Sequence, residues 1–179
     1  GDQASSQYSP LTQINRNNVK NLKLAWQYDA TRGDSDLAGE MQHNPLVVNG
    51  VLYGSAPLAK GLFALNAATG EEIWSWTPPD SLDQVARGLV YWSDENNQNP
   101  RIIFGSGNFI HAIDADTGKP IADFGRDGQI DLRDGLTEDD REFDFVAATS
   151  PGVIYKDILI QGMRVNEFGG AAQIGRAHV

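Results

Sequence analysis

Apolar residues recur at every second position in short runs along this chain, and turn-forming residues punctuate the runs. Leu22, Leu24, Trp26 and Tyr28 alternate with polar neighbours, the period of a half-buried strand. Pro45 to Val48 and Val51 to Gly54 flank Asn49-Gly50, a pair that supplies both positive φ angles of a two-residue hairpin turn. Runs from Gly61 to Asn66 and from Glu71 to Trp76 complete four strands. A second unit reads from Gly88 to Trp92, crosses a polar loop from Ser93 to Pro100, continues through Arg101 to Phe104 and Phe109 to Asp114, and ends near Phe124. A third opens at Pro151 to Tyr155, turns at Lys156-Asp157 and runs into Ile158 to Ile160.

Two of these units share a sequence. Ala64-Leu65-Asn66-Ala67-Ala68-Thr69-Gly70 returns 48 residues later as Ala112-Ile113-Asp114-Ala115-Asp116-Thr117-Gly118. Asn66 or Asp114 can hydrogen-bond the turn backbone, and the glycine accepts positive φ for the return strand. Strand, tight turn and strand at a fixed period describe the outer hairpin of a propeller blade, a unit that buries its faces only against neighbouring blades. The fold class expected is all-β: about three blades of a β-propeller, with Trp26, Trp74 and Trp76 filling the gaps between sheets. The strand at Leu22 to Tyr28 is then an outer strand without its own blade, suited to closing a ring by pairing with a distant part of the chain. The polar stretch from Gly125 to Asp144 lengthens the interval before the third blade and belongs on a loop. Its acidic run from Glu138 to Glu142 lacks EF-hand spacing and reads as solvated rather than as a calcium site.

Charge narrows the function classes. Over 179 residues, 24 acidic against 14 basic residues leave a formal charge of −10, without the Lys/Arg cluster that binding nucleic acid needs. No apolar run reaches the ~18 residues of a membrane span, and residues 1–7 carry no leader pattern. The chain has no cysteine, which excludes disulfides and thiolate metal sites.

Taken together the motifs resemble the pyrroloquinoline quinone (PQQ) dependent dehydrogenases. The resemblance is carried by Tyr8-Ser9-Pro10-Leu11 with Ile14 and Asn18-Val19, Leu22-Lys23-Leu24-Ala25-Trp26, Asn44-Pro45-Leu46-Val47-Val48, both Thr-Gly turns, Arg87-Gly88-Leu89-Val90-Tyr91-Trp92 and Thr149-Ser150-Pro151-Gly152-Val153. It covers residues 1–172, an N-terminal portion of that family's eight-bladed propeller with tryptophan-docking blade motifs. It implies oxidation of a sugar or an alcohol by hydride transfer to PQQ beside Ca²⁺ or a lanthanide, with electrons passed to ubiquinone or cytochrome c. Position by position it implies cofactor contacts at Gln42, Arg87, Thr149, Arg164 and Asn166, and a metal ligand at Glu167. The residue types suit that chemistry: an arginine fork and hydroxyl donors match carboxylates and quinone oxygens, and Ca²⁺ prefers carboxylate oxygen. The family's catalytic aspartate belongs to a later blade, so no catalytic base is expected here and this stretch alone should be inactive.

The resemblance also implies a periplasmic protein, with attachment to the inner membrane left to parts outside this stretch. The adjacent cysteines that many alcohol-oxidising members carry before the arginine are missing, and Trp92 replaces the histidine of the membrane glucose-oxidising members, so sugar and alcohol both stay open. The competing class is a non-catalytic propeller scaffold of the outer-membrane assembly type, which shares the Thr-Gly turns but needs neither Arg87 nor Glu167. His111, on an alternating strand, reads as packing, while His43 and Trp92 are lesser candidates to border the cofactor. Residues 173–179 can be encoded by CAG ATC GGA AGA GCA CAC GTC, an adapter-like sequence, and are expected to be non-native.

Overall fold

The structure is a computed structural model that describes residues 11–37, 39, 41–79, 83–135 and 145–165. Asn166, Glu167, the acidic run from Glu138 to Glu142 and the stretch 173–179 lie outside the described residues. Two four-stranded antiparallel meanders dominate, and no α-helix occurs among the described residues. The first contains β1 (Leu46–Val48), β2 (Val51–Ser55), β3 (Leu62–Asn66) and β4 (Glu72–Trp76) in sequential order. The second contains β5 (Val90–Trp92), β6 (Arg101–Ser106), β7 (Phe109–Asp114) and β8 (Gln129–Asp131). After them β9 (Val146–Ala147) pairs with β12 (Arg164–Val165), and β10 (Val153–Tyr155) pairs with β11 (Ile158–Ile160).

Local chemistry explains the turns. Asn49 and Gly50 both take positive φ, 50° and 81°, and set Val48 opposite Val51. In the repeated turns Asn66 Oδ1 accepts from the amides of Ala68 and Thr69, and Asp114 Oδ1 from those of Asp116 and Thr117. Gly70 and Gly118 then reverse the chain at φ 76° and 71°.

The middle strands are apolar on both faces, which is stable only between two neighbours. Leu62 and Ala64 of β3 pack with Ile102, Phe104 and Ile113 of the second sheet, whereas Phe63 and Leu65 pack with Ala30, Trp26 and Tyr28. On the second sheet, Ile103 and Ile110 face Val146, Ala148, Ile154 and Leu159 of the third unit. The indole of Trp26 lies on Gly70 and donates to the Ala67 carbonyl at 3.2 Å; 48 residues later Trp74 lies on Gly118 and donates to the Ala115 carbonyl at 2.9 Å. Trp26 and Trp74 are thus packing residues, and so is Trp76, whose ring lies 5.0 Å from that of His111, itself only 2% exposed.

Two expectations change. The segment 22–28 forms no ladder among the described residues; Trp26 and Tyr28 hold it while Leu22 and Leu24 stay exposed, Leu24 by 81%. The outer strand of the second unit is not the return strand expected between Gly118 and Phe124 but β8, inside the stretch assigned to a loop. Pro120 has no amide to extend the ladder and forms only a bridge with Ile113. The chain leaves through Gly125, Asp127 and Gly128, all at positive φ, and rejoins β7 with Ile130 opposite Ile110.

A β-carbon on Gly118 would lie 2.7 Å from the Trp74 ring, and one on Gly33, also at positive φ, would meet nothing within 4 Å. In the full-length protein Gly33→Ala should therefore cost about 1 kcal/mol for backbone strain alone, and Gly118→Ala clearly more. Trp74→Ala should cost about 3–5 kcal/mol. Urea unfolding measures all three; equal losses for the two glycine variants would show that the indole contact carries no stability.

Candidate functional site

Three of the proposed cofactor residues occupy equivalent places. Gln42, Arg87 and Thr149 each lie three or four residues before the first strand of successive units, β1, β5 and β10. Those strands form the sheet edges opposite β4 and β8, so the loops open at the end of the fold away from the tryptophan turns.

Arg87 and Thr149 meet although 62 residues separate them. The Arg87 amide donates to the Thr149 carbonyl at 2.8 Å, and its guanidinium Nη1 donates to Thr149 Oγ1 at 3.1 Å. Gly88 permits this approach: a β-carbon there would lie 2.8 Å from Pro151 Cγ. Arg87 is exposed and pairs with no carboxylate among the described residues. Arg164 stands opposite Ala147 on the ladder that runs on into Thr149, its guanidinium 5.8 Å from the Phe145 ring centroid. In a chain of formal charge −10 the Arg87 guanidinium and the Thr149 hydroxyl make a donor pair suited to an oxygen-rich anion, with Arg164 on the adjoining ladder and Gln42 at the equivalent place before β1. No group of three or more His, Cys, Asp or Glu side chains suited to a metal occurs among the described residues.

The lesser candidates have other tasks. Trp92 donates from its indole to the Lys156 carbonyl at 3.0 Å, with the Arg101 guanidinium 4.6 Å from its ring centroid, and so joins the second unit to the third. His43, next to Gln42, is half-buried and grips Ser55: its Nε2 accepts from the Ser55 amide at 3.1 Å, and Nδ1 lies 3.2 Å from Ser55 Oγ. Because an amide can only donate, Nε2 must be unprotonated. Burial lowers the His43 pKa in the same direction. A cleft lined by Ile110, Phe124, Ile130, Leu132, Leu159 and Met163, with Asp131, Asp134, Asp157 and Gln161 also on its walls, includes none of Gln42, Arg87, Thr149 and Arg164.

The fold and this contact define a class first: part of a β-propeller in which the loops entering two successive units bring Arg87 to Thr149. Residues 1–176 match the family described as glucose/ethanol/alcohol dehydrogenase, β-propeller domain, of the PQQ type, and the chain belongs to that family. It is 41% identical over 128 residues to the dehydrogenase subunit of a quinone alcohol dehydrogenase from Gluconobacter oxydans, covering 66% of this chain and 15% of that one. A quinoprotein glucose dehydrogenase from the same organism is 32% identical over 201 residues, covering 98% of this chain and 24% of its own length. Among solved structures, a quinohemoprotein alcohol dehydrogenase from Pseudomonas putida HK5 superposes with a TM-score of 0.67 at 30% identity, over 90% of this chain and 22% of that one. The chain thus spans less than a quarter of the length of these relatives.

A pH dependence follows from His43. As pH falls below the ordinary imidazole value of about 6.5, the unfolded chain takes up the proton before the folded one does. Stability is therefore lost from there down to the depressed folded value. Unfolding midpoints between about pH 7 and about pH 5 should fall less for His43→Asn than for the wild type; parallel slopes would show that His43 does not contribute.

Proposed function

We propose that the protein containing this chain is a PQQ-dependent dehydrogenase that oxidises an alcohol or a sugar, and that the Arg87–Thr149 mouth is part of its cofactor site. The observation that carries this reading is the meeting of a guanidinium, without a carboxylate partner among the described residues, with a hydroxyl, on loops whose approach Gly88 permits, in a chain of that family. When bound, PQQ supplies a quinone that accepts hydride from the substrate, and Ca²⁺ or a lanthanide supplies a Lewis acid that polarises it. Arg87 offers a rigid fork to quinone or carboxylate oxygens, Thr149 a hydroxyl, and Gln42 and Arg164 further donors from the neighbouring unit and ladder. Asn166 and Glu167 continue from β12, and Glu167 provides the carboxylate oxygen that the metal prefers. The substrate is a small alcohol or sugar, the electron acceptor is ubiquinone or a cytochrome c, and the compartment is the periplasm.

Full-length protein should oxidise glucose or simple alcohols in a dye-linked assay only when PQQ and Ca²⁺ are both present. Arg87→Met should weaken PQQ binding by about 2 kcal/mol. Gly88→Ala, which drives Pro151 away and parts Arg87 from Thr149, should weaken it in the same direction. Neither activity nor PQQ binding in the wild type would favour the scaffold class instead.

A further inference from the structure

The Arg87 loop is held from the first unit by a strained turn. Between β2 and β3, Leu58 and Ala59 occupy consecutive left-handed conformations at φ 57° and 56°, costly for side chains other than glycine. The turn directs successive carbonyls at the second unit. Leu58 O accepts from the Gln84 amide at 3.4 Å, and Ala59 O accepts from the buried Ser106 hydroxyl at 2.9 Å. Lys60 adds an ion pair with Asp83 at 2.6 Å.

Gln84 lies three residues before Arg87 and is 6% exposed. Its Nε2 donates to the Gly105 carbonyl at 3.1 Å, while its Oε1 is buried without a hydrogen-bond partner among the described residues. An apolar side chain of the same length would avoid that orphaned oxygen but would also forfeit the bond to Gly105, so the glutamine is kept by the tie it makes to Gly105. Gly105 serves both arms of the mouth: a β-carbon on it would collide with the carbonyl of Ala148, the residue before Thr149. One glycine thus takes the Gln84 amide on the Arg87 side and admits the Thr149 strand on the other.

We propose that Gln84 is a positioning residue for Arg87: clamped between the strained Leu58-Ala59 turn and Gly105, it sets the guanidinium against Thr149 in the geometry that receives an anionic, oxygen-rich cofactor. This rests on the reading of Arg87 as a PQQ contact. The test titrates PQQ into full-length apoprotein, followed by intrinsic fluorescence, for Gln84→Met, Arg87→Met, Ser106→Ala and the doubles of each with Arg87→Met. Gln84→Met should raise the PQQ Kd about ten-fold, roughly the worth of one hydrogen bond, in an apoprotein that still folds cooperatively with a melting temperature lowered by the loss of the Gly105 bond. In the Arg87→Met background it should add less than about two-fold, since coupled residues are not additive.

Ser106→Ala loosens the same turn from β6 and should behave alike, so it carries the test if Gln84→Met fails to fold. Fold-changes that multiply in the double variants, or an unchanged Kd in the folded single variants, would overturn the proposal while leaving PQQ binding intact. A wild-type Kd for Arg87→Met would overturn the reading of Arg87 itself, and the positioning role with it.

Discussion

An indole lying flat on a glycine turn is the contact on which the arrangement of these sheets depends. Each meander is apolar on both faces and has no stable existence as a single layer. Something must fix how far one sheet is rotated from the next, and a greasy interface alone does so poorly. Trp26 on Gly70 and Trp74 on Gly118 supply that register, because the indole N–H finds its carbonyl only when the ring is seated. The glycine has two duties in one residue: its φ turns the chain and its missing β-carbon leaves room for the ring.

Fixing the rotation also fixes the mouth. Once the rims are locked, the loops entering β5 and β10 meet at the opposite end, and Arg87 is brought to Thr149 without any local sequence relation between them. Arg87 stands there against a strongly acidic background, so its character comes from placement rather than composition.

Much of the architecture was legible because local chemistry dictates it. Asn49-Gly50 admits one kind of hairpin, and the repeated Asn/Asp-x-x-Thr-Gly turn hydrogen-bonds to itself in both copies. The outer strand of the second unit was not legible, because Pro120 aborts the pairing that the repeat leads one to expect and the chain resumes only at Gln129. Within the site, residue types marked Arg87 and Thr149, but their contact is a product of sheet rotation that no spacing records. Gln84 was missed altogether: a lone glutamine in a polar stretch resembles loop surface, and only its burial against Gly105 separates it from one. Gly88 belonged to a recognised motif, yet its reason, the nearness of Pro151, lies in another unit.

The joint between the second and third units departs from the one before it. The position 48 residues after Trp74 is Ala122, so the rim carries no indole, and Trp92 on the inner strand reaches the Lys156 carbonyl instead. The fastening has moved from the circumference to the hub side. A sector pinned near the hub leaves its rim free to take up extra chain, and a long connection, from β8 to β9, leaves the outer strand of this unit. Insertions that a rim-locked joint would reject can therefore accumulate at this one without moving the residues at the centre, and the periphery of the ring can diversify while its middle stays constant.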